Sequence, residues 1–223
     1  MFVKICGVTR EPDALLAVAM GADAVGFIFA PSVRQIAPSV ARDIVRRLPA
    51  EVLTVGVFRD EAPTRVVEIV NATGLRAAQL HGRENAEATG WIAERVPFVI
   101  KAFTAGDPAL GQATSWPASA VLIDSPRPGS GQVFDWSLAQ ERPEGLRAIL
   151  AGGLTPENVA EAIEAVRPWG VDVASGVEAA RGEPGQKDAR KVKAFVEAAK
   201  ATAAAGYEPL DVDPYDWMED DLS

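Results

Sequence analysis

Residues 149–159 read ILAGGLTPENV, and this stretch shows the unit from which the fold is built. An apolar run typical of a buried strand ends at Ala151, two glycines follow, and an amphipathic pattern begins with Pro156 in its first turn. The same order, a short apolar or β-branched run and then a longer amphipathic stretch, recurs along the chain. This recurrence favours strand and helix units arranged around a parallel sheet.

Eight such units can be distinguished. The predicted strands cover residues 2–6, 24–29, 52–57, 77–80, 98–103, 120–123, 148–151 and 171–174. The predicted helices begin near Glu11, Pro38, Pro63, Glu84, Asp107, Trp136, Pro156 and Asp188, and those at Asp107 and Trp136 have the weakest helical pattern. Eight units predict an α/β protein with a single (β/α)8 TIM barrel. A doubly wound open sheet would have fewer units, and no GxGxxG follows the first strand.

The chain of 223 residues has a length that one barrel domain can reach. We predict a barrel catalytic domain over residues 1–205 and a short acidic C-terminal extension over residues 206–223, which has no Lys or Arg. A solvated tail is the usual form of such a segment. Its Tyr and Trp residues leave open that it packs back on the barrel.

Composition narrows the possible partners and the compartment. The net charge of −9 argues against binding to nucleic acid or to acidic membranes. A single cysteine, Cys6, excludes an internal disulfide and a multi-cysteine zinc site, and it fits a reducing compartment. No apolar run approaches the roughly 18 to 20 residues that span a bilayer, and no basic segment precedes an apolar one at the start. We therefore expect a cytoplasmic protein.

Candidate catalytic residues stand where strands end, because the strand carboxyl ends of a barrel meet on the face that carries the chemistry. Cys6 ends the first predicted strand, and Asp124 directly follows the sixth. Each has an ordinary alternative role. A lone cysteine can be an inert apolar residue, and an aspartate after a strand can be a hydrogen-bonded loop cap.

Glycine-containing loops follow the last two strands. Gly152 and Gly153 precede one predicted helix, and Ser175 and Gly176 follow the eighth strand. Converging backbone N–H groups in such loops bind anions, and barrels commonly hold phosphate at this place. Either loop alone could merely terminate a strand. Both together favour a phosphate site.

Three further charged or polar residues have less specific signals. Arg34 could clamp a carboxylate or a phosphate, or it could be a solvated loop charge. Lys4 shares the inward face with Cys6 and needs a partner, which either Asp172 or Asp23 could supply.

The only histidine, His81, has no second histidine or carboxylate cluster near it in sequence. A metal site is therefore improbable, and a satisfied structural histidine is the better interpretation.

Taken together, the chain resembles the phosphoribosylanthranilate isomerase family. The resemblance is carried, in unbroken order from residue 2 to about residue 202, by KICGVT, GADAVGFIF, SVRQI, QLHG, LID followed by GSGQVFDW, LAGGLTPENV, and DVASGVE with GQKD. It implies a barrel isomerase of tryptophan biosynthesis. The reaction is the Amadori rearrangement of N-(5-phosphoribosyl)anthranilate to 1-(2-carboxyphenylamino)-1-deoxyribulose 5-phosphate, with no cofactor and no metal. A small phosphorylated substrate and a monomer or homodimer are expected.

The resemblance also implies roles for individual residues. Cys6 is similar to the general base that takes the C2 proton, Asp124 to the general acid for the ring oxygen, and Arg34 to the arginine that contacts anthranilate. The phosphate is expected on the loops of Gly131, Gly152, Gly153, Ser175 and Gly176. For a thiol to act as base near neutral pH, we expect its pKa to fall below the usual value of about 8.5.

Two positions depart from the family pattern. Ala174 stands where serine or asparagine is frequent, and Pro128 stands where a second glycine is common, so the phosphate donors at these positions are not implied. A histidine-pathway isomerase would want aspartate in place of Cys6, and a related alternative is indole-glycerol-phosphate synthase. A metal-dependent epimerase would need paired histidines. A noncatalytic phosphosugar-binding barrel would have lost the acid or the base.

Overall fold

The computed structural model describes residues 1–126, 135–181 and 183–202, and the extension predicted over residues 206–223 lies outside the described residues. Eight parallel strands form a closed barrel in chain order. They are β1 (Phe2–Ile5), β2 (Ala24–Ile28), β3 (Leu53–Phe58), β4 (Ala77–Leu80), β5 (Phe98–Thr104), β6 (Ala120–Asp124), β7 (Ala148–Leu150) and β8 (Gly170–Val173). Strands β1 and β8 close the barrel, with Lys4 in register with Asp172. The barrel prediction is confirmed, and the open sheet is excluded.

Each predicted strand corresponds to an observed one, with each end displaced by no more than one residue. Strand β1 ends at Ile5 and β8 ends at Val173. Cys6 and Ala174, predicted as terminal strand residues, therefore lie just beyond the strands. The backbone N–H of Cys6 still donates to the carbonyl oxygen of Val173 at 2.8 Å, so the ladder extends to the site.

Helices and short 3₁₀ segments connect the strands. The α-helices are α1 (Glu11–Ala19), α2 (Pro38–Val45), α3 (Pro63–Thr73), α4 (Ala86–Ala93), α5 (Val159–Val166) and α6 (Ala189–Ala201). The weak segments predicted near Asp107 and Trp136 are 3₁₀ helices, Pro108–Ser115 and Trp136–Ala139, and an unpredicted third covers Ser175–Val177. Within the described ranges, no helix combines the length and the apolar character that crossing a membrane requires.

The predicted starts at Glu11, Pro38 and Pro63 are confirmed. Proline is tolerated there because the first helical N–H has no partner within the helix. Asp188 caps α6, since its side chain accepts hydrogen bonds from two backbone N–H groups of the first turn.

Two predicted helix starts are wrong. Helix α5 begins at Val159 rather than near Pro156, because Asn158 accepts from the backbone N–H of Thr155 at 2.8 Å and donates to the carbonyl oxygen of Gly153 at 3.0 Å. These bonds hold the preceding residues in a loop.

Helix α4 begins at Ala86, not near Glu84, because Asn85 is its cap and accepts from Ala88 at 2.8 Å. Asparagine is a strong N-cap residue, since its side-chain oxygen satisfies an N–H group of the first turn.

Strand alternation produces two apolar clusters. The larger cluster lies between the barrel and the helices, where Val3 and Ile5 of β1 pack in the same layer as Val66 and Phe195. The smaller fills the barrel, and its members are Phe2, Ala24, Leu53, Val55, Ala77, Phe98, Ile100, Ala102, Ala120, Leu122, Ile149 and Ala151. This packing is what a period of two predicts for strands covered on both faces.

A charged pair lies above the inner apolar cluster. Lys4 has no exposed side-chain surface, and its Nζ lies 2.8 Å from the carboxylate of Asp172. Of the two partners considered from the sequence, Asp172 is the correct one. Asp23 instead accepts from the backbone N–H of Val3 and pairs with Lys200. Burial acts to lower the pKa of Lys4, but the Asp172 carboxylate and the Cys6 thiol together raise it overall.

Candidate active site

The polar interior residues gather at the carboxyl end of the barrel, as the strand ends predict. Cys6 follows β1 and is 5% exposed, and Asp124 ends β6 and is 7% exposed. Asp172 joins them from β8, the strand next to β1. These three titratable groups therefore lie at the same end of the barrel, above the apolar interior.

A small cavity of about 80 Å³ lies between the loops that follow β6, β7 and β8. It is lined by Asp124, Ala151, Gly152, Gly153, Leu154, Asp172, Val173, Ala174 and Ser175. Three residues predicted from the sequence as phosphate contacts thus face the same space as the candidate acid. Gly176, Cys6 and Arg34 are not part of its lining.

The close packing of the site around residue 152 requires glycine there, in addition to the turn that ends the strand. The φ of Gly152, +88°, belongs to the left-handed region. A Cβ added there would lie 2.5 Å from the backbone nitrogen of Ser125 and 2.8 Å from Oδ1 of Asp124. The loop after β7 therefore passes directly against the candidate acid.

Gly176 has a different constraint. A Cβ at this position would overlap the carbonyl oxygen of Leu154, which belongs to the loop after β7. The loops after β7 and β8 are therefore in direct backbone contact, and a displacement of one displaces the other.

Asp124 is held by two hydrogen-bonding groups. The backbone N–H of Ser125 donates to Oδ1 at 2.7 Å, and Nε2 of His81 lies 3.2 Å from Oδ2. Nε2 of Gln79 lies 2.8 Å from Nδ1 of His81. With Gln79 as donor, the imidazole carries its proton on Nε2 and directs it at the carboxylate. The hydrogen bonds agree with a satisfied histidine, but its position beside the candidate acid was not predicted.

Cys6 lies beside the buried ion pair. A Cβ at Gly26 would be 2.8 Å from Sγ of Cys6 and 3.2 Å from Nζ of Lys4, so the thiol and the ammonium group both lie against the backbone of Gly26. Burial nevertheless raises the pKa of the Cys6 thiol, and Lys4 only opposes this effect. The expectation of a lowered pKa is therefore wrong for the ligand-free protein.

Arg34 is not a solvated loop charge. Its side chain is 15% exposed, and Nε and Nη2 donate to the two carboxylate oxygens of Glu178 at 2.6 Å and 3.0 Å. This hydrogen bonding raises the pKa of the Arg34 guanidinium. The carboxylate also lies 3.3 Å from Nζ of Lys187.

The charges of this cluster shift the pKa values of its members. Burial acts to raise the pKa of Glu178, but Arg34 and Lys187 lower it overall. Burial lowers the pKa of Lys187, and Glu178 opposes that change. Sequence reasoning assigned no role to Glu178 or Lys187, although both stand in the segments DVASGVE and GQKD.

A second, wider cavity of about 370 Å³ lies on the other side of Asp124. Its lining includes His81, Phe103 and Trp116, together with a buried ion pair in which Lys101 and Glu84 are 2.9 Å apart. This pair was also missed, because its members are far apart in sequence and Lys101 lies in an apolar strand. Asp124 lines both cavities, so the opening continues past the candidate acid.

One predicted contact cannot be placed, because Gly131 lies outside the described residues, as does Pro128. In the part of the chain that the structure describes, no group of three or more His, Cys, Asp or Glu side chains could hold a metal ion.

The fold and the site together define a (β/α)8-barrel protein with a buried thiol, a buried carboxyl and a pocket at its carboxyl-terminal mouth. A family model described as N-(5'phosphoribosyl)anthranilate (PRA) isomerase matches residues 3–198. The chain belongs to this family, as its motifs indicated.

Similar proteins support the assignment. An N-(5'-phosphoribosyl)anthranilate isomerase from Desulforudis audaxviator is 48% identical over 205 residues, which cover 89% of this chain and 97% of that protein. The crystal structure of phosphoribosyl anthranilate isomerase from Thermus thermophilus has a TM-score of 0.83 and 44% identity, and the match covers 90% of this chain and 99% of that one.

A second similar structure contains a ligand. It is a phosphoribosyl anthranilate isomerase in complex with reduced 1-(o-carboxyphenylamino)-1-deoxyribulose 5-phosphate, with a TM-score of 0.78 and 42% identity. The match covers 90% of this chain and 99% of that chain.

Proposed function

We propose that this protein converts N-(5'-phosphoribosyl)anthranilate to 1-(2-carboxyphenylamino)-1-deoxyribulose 5-phosphate in tryptophan biosynthesis, with Asp124 as general acid and Cys6 as general base. One observation carries the proposal. A thiol and a carboxyl are both buried at the same end of a closed barrel that belongs to the isomerase family.

The first step needs an acid. Asp124 donates a proton to the ribose ring oxygen, the bond from that oxygen to C1 breaks, and the nitrogen lone pair forms an iminium with C1. The pocket beside Asp124 and the glycine loops supports this role, because a phosphate held there would fix the sugar next to the carboxyl.

The second step needs a base. The thiolate of Cys6 takes the proton from C2, and the electron pair of that bond forms a C1=C2 bond and neutralises the iminium. Return of a proton to C1 and loss of the proton from the C2 hydroxyl yield the ketone. The raised pKa of the free thiol is compatible with this order, because the iminium cation that forms beside it stabilises the thiolate. Both steps are proton transfers, so the proposal includes no metal and no cofactor.

Binding is assigned to the two ends of the substrate. The loops with Gly152, Gly153, Ser175 and Gly176 take the phosphate, and Arg34 takes the anthranilate carboxylate. A cytoplasmic monomer or homodimer, without a nucleic-acid or membrane partner, remains the prediction from the sequence.

Activity is the direct test. Purified protein should convert phosphoribosylanthranilate without added metal or nucleotide, measured as the loss of anthranilate-type fluorescence. Binding of the reduced product compound without any turnover would contradict the proposal and favour a noncatalytic phosphosugar-binding barrel.

The phosphate assignment predicts an effect of Gly176→Ala. The new methyl group overlaps the carbonyl oxygen of Leu154, and relief of such a contact costs about 1–3 kcal/mol. If the loops after β7 and β8 hold the phosphate, KM should rise about tenfold, and inorganic phosphate should inhibit about tenfold more weakly. Steady-state kinetics measure both values.

Gly111→Ala is the matched control, because a Cβ at Gly111 has no neighbour within 4 Å. It should leave both constants unchanged. If KM and the inhibition constant of phosphate are unaltered in the Gly176→Ala protein, the assignment of the phosphate to these loops is wrong.

A further inference from the structure

We propose that Glu178 is a positioning residue that orients Arg34 for the substrate carboxylate. Because Glu178 lies in the loop after β8, it also connects Arg34 to that loop. The inference rests on the proposed function and concerns specificity for a carboxylated aryl group. Glu178 acts through Arg34 and need not touch the reacting atoms.

The first argument is the geometry of the pair. Both carboxylate oxygens of Glu178 accept from one edge of the Arg34 guanidinium, at 2.6 Å and 3.0 Å. A bidentate pair fixes the plane of the guanidinium as well as its position. Glu178 engages two of the five N–H donors, and within the described ranges the side chain of Arg34 has no other hydrogen-bond partner. The remaining donors are left for a ligand.

The second argument is the packing of the arginine stem. A Cβ added at Gly7 would lie 2.6 Å from Cδ of Arg34, so the stem rests directly on the backbone of the loop after β1. Gly7 follows Cys6 in the chain. Glu178 fixes the guanidinium, and the missing side chain of Gly7 leaves room for the aliphatic part of Arg34. Both contacts keep Arg34 close to the loop that carries the candidate base.

The third argument is the support of Glu178 itself. Nζ of Lys187 lies 3.3 Å from its carboxylate and donates to the carbonyl oxygen of Ala174 at 3.0 Å. Nζ of Lys191 in α6 donates to the backbone carbonyl oxygen of Glu178 at 2.8 Å. Ala174 precedes Ser175, so Lys187, which pairs with Glu178, also bonds the start of the proposed phosphate loop.

The charge of the cluster selects its ligand. Arg34 and Lys187 carry two positive charges, and Glu178 carries one negative charge. Positive charge therefore exceeds negative charge in this ion-paired group, and the ammonium group of Lys191 at the Glu178 backbone adds to the excess, which favours a ligand carboxylate. Because the N–H donors of Arg34 are already fixed in position, ligand binding does not have to order this side chain and loses less conformational entropy.

Glu178→Gln tests the inference. Glutamine has nearly the same shape, but it accepts at one oxygen and places an NH2 group against the guanidinium. The probes are two inhibitors, the reduced 1-(o-carboxyphenylamino)-1-deoxyribulose 5-phosphate and the same compound with phenyl in place of the carboxyphenyl group. The dissociation constant of the first should rise about tenfold, and that of the second should change by less than about twofold. In turnover, KM should rise while kcat changes little.

Glu183→Gln is the matched control, since Glu183 is an exposed glutamate in the same connection. It should alter neither constant, and the urea unfolding midpoints of all variants should be compared. Equal weakening of both inhibitors, or weakening of neither, would overturn the positioning role. If either of these outcomes is found and the wild-type protein turns over substrate, only the positioning role of Glu178 fails and the proposed function stands. If the unchanged protein neither turns over substrate nor binds the carboxylated inhibitor, the proposed function itself fails.

Discussion

Replacement of Cys6 by serine, or of Asp124 by asparagine, is expected to lower kcat by about 10²- to 10⁴-fold while the barrel stays folded. A serine hydroxyl is a far weaker base than a thiolate, and an asparagine amide cannot donate the proton that ring opening needs. Both changes conserve shape, so the unfolding midpoint should move little. Turnover and urea unfolding of the same preparations measure the two effects.

Asp43→Asn is the matched control for the carboxyl change. Asp43 is exposed on α2, and its contact with Arg42 is 3.4 Å. This variant should keep full turnover. Near-normal turnover of either Cys6→Ser or Asp124→Asn would show that the role assigned to that residue is wrong.

The pH dependence of the unchanged protein gives a second readout of the same base. The proton-accepting form of Cys6 is the thiolate, and burial raises the pKa of this thiol in the free protein. The fraction of thiolate therefore still grows above neutral pH. The ultraviolet absorbance of the thiolate in the ligand-free protein should rise with pH in the alkaline range, above the pH at which an ordinary thiol ionises. The Cys6→Ser protein should lack this rise.

The second large effect is expected on stability. Lys4→Met should lower the free energy of unfolding by about 3–5 kcal/mol, because it leaves the carboxylate of Asp172 buried without its partner. Lys4 has no exposed side-chain surface, and the methionine would fill the same buried space without supplying a positive charge. Urea unfolding at neutral pH measures the change.

Two variants sharpen this test. Lys200→Met removes the partner of Asp23 from an exposed pair and should cost less than about 1 kcal/mol. The double variant Lys4→Met with Asp172→Leu replaces the buried pair by apolar groups and should recover most of the lost stability. If Lys4→Met and Lys200→Met lower the free energy of unfolding equally, the buried pair contributes no more to stability than the exposed pair.

Local sequence pattern was sufficient for the strands and for most of the helix starts. The period of two and the apolar runs located every strand to within a residue, because a strand covered on both faces is mostly apolar along its length. Pro38 and Pro63 marked helix starts for a steric reason that operates within one turn. The start near Pro156 was misplaced, because the side chain of Asn158 binds back to Gly153 and holds a loop there.

The candidate site was recognised in part. Strand ends identified Cys6 and Asp124, since a closed parallel barrel brings all its strand carboxyl ends to one face. The contact between Glu178 and Arg34 spans 144 positions of the chain, and that between His81 and Asp124 joins a residue just after β4 to the last residue of β6. No periodicity links such residues.

The sequence by itself therefore determined the barrel and the family, and it predicted the face on which the candidate site residues lie, because these depend on local periodicity and on motifs in chain order. Only the tertiary structure decided that Lys4 pairs with Asp172, that Glu178 holds Arg34, and that the pKa of the Cys6 thiol is raised. The physical reason is that ion pairing and desolvation depend on distances and burial in space, which closure of the barrel creates.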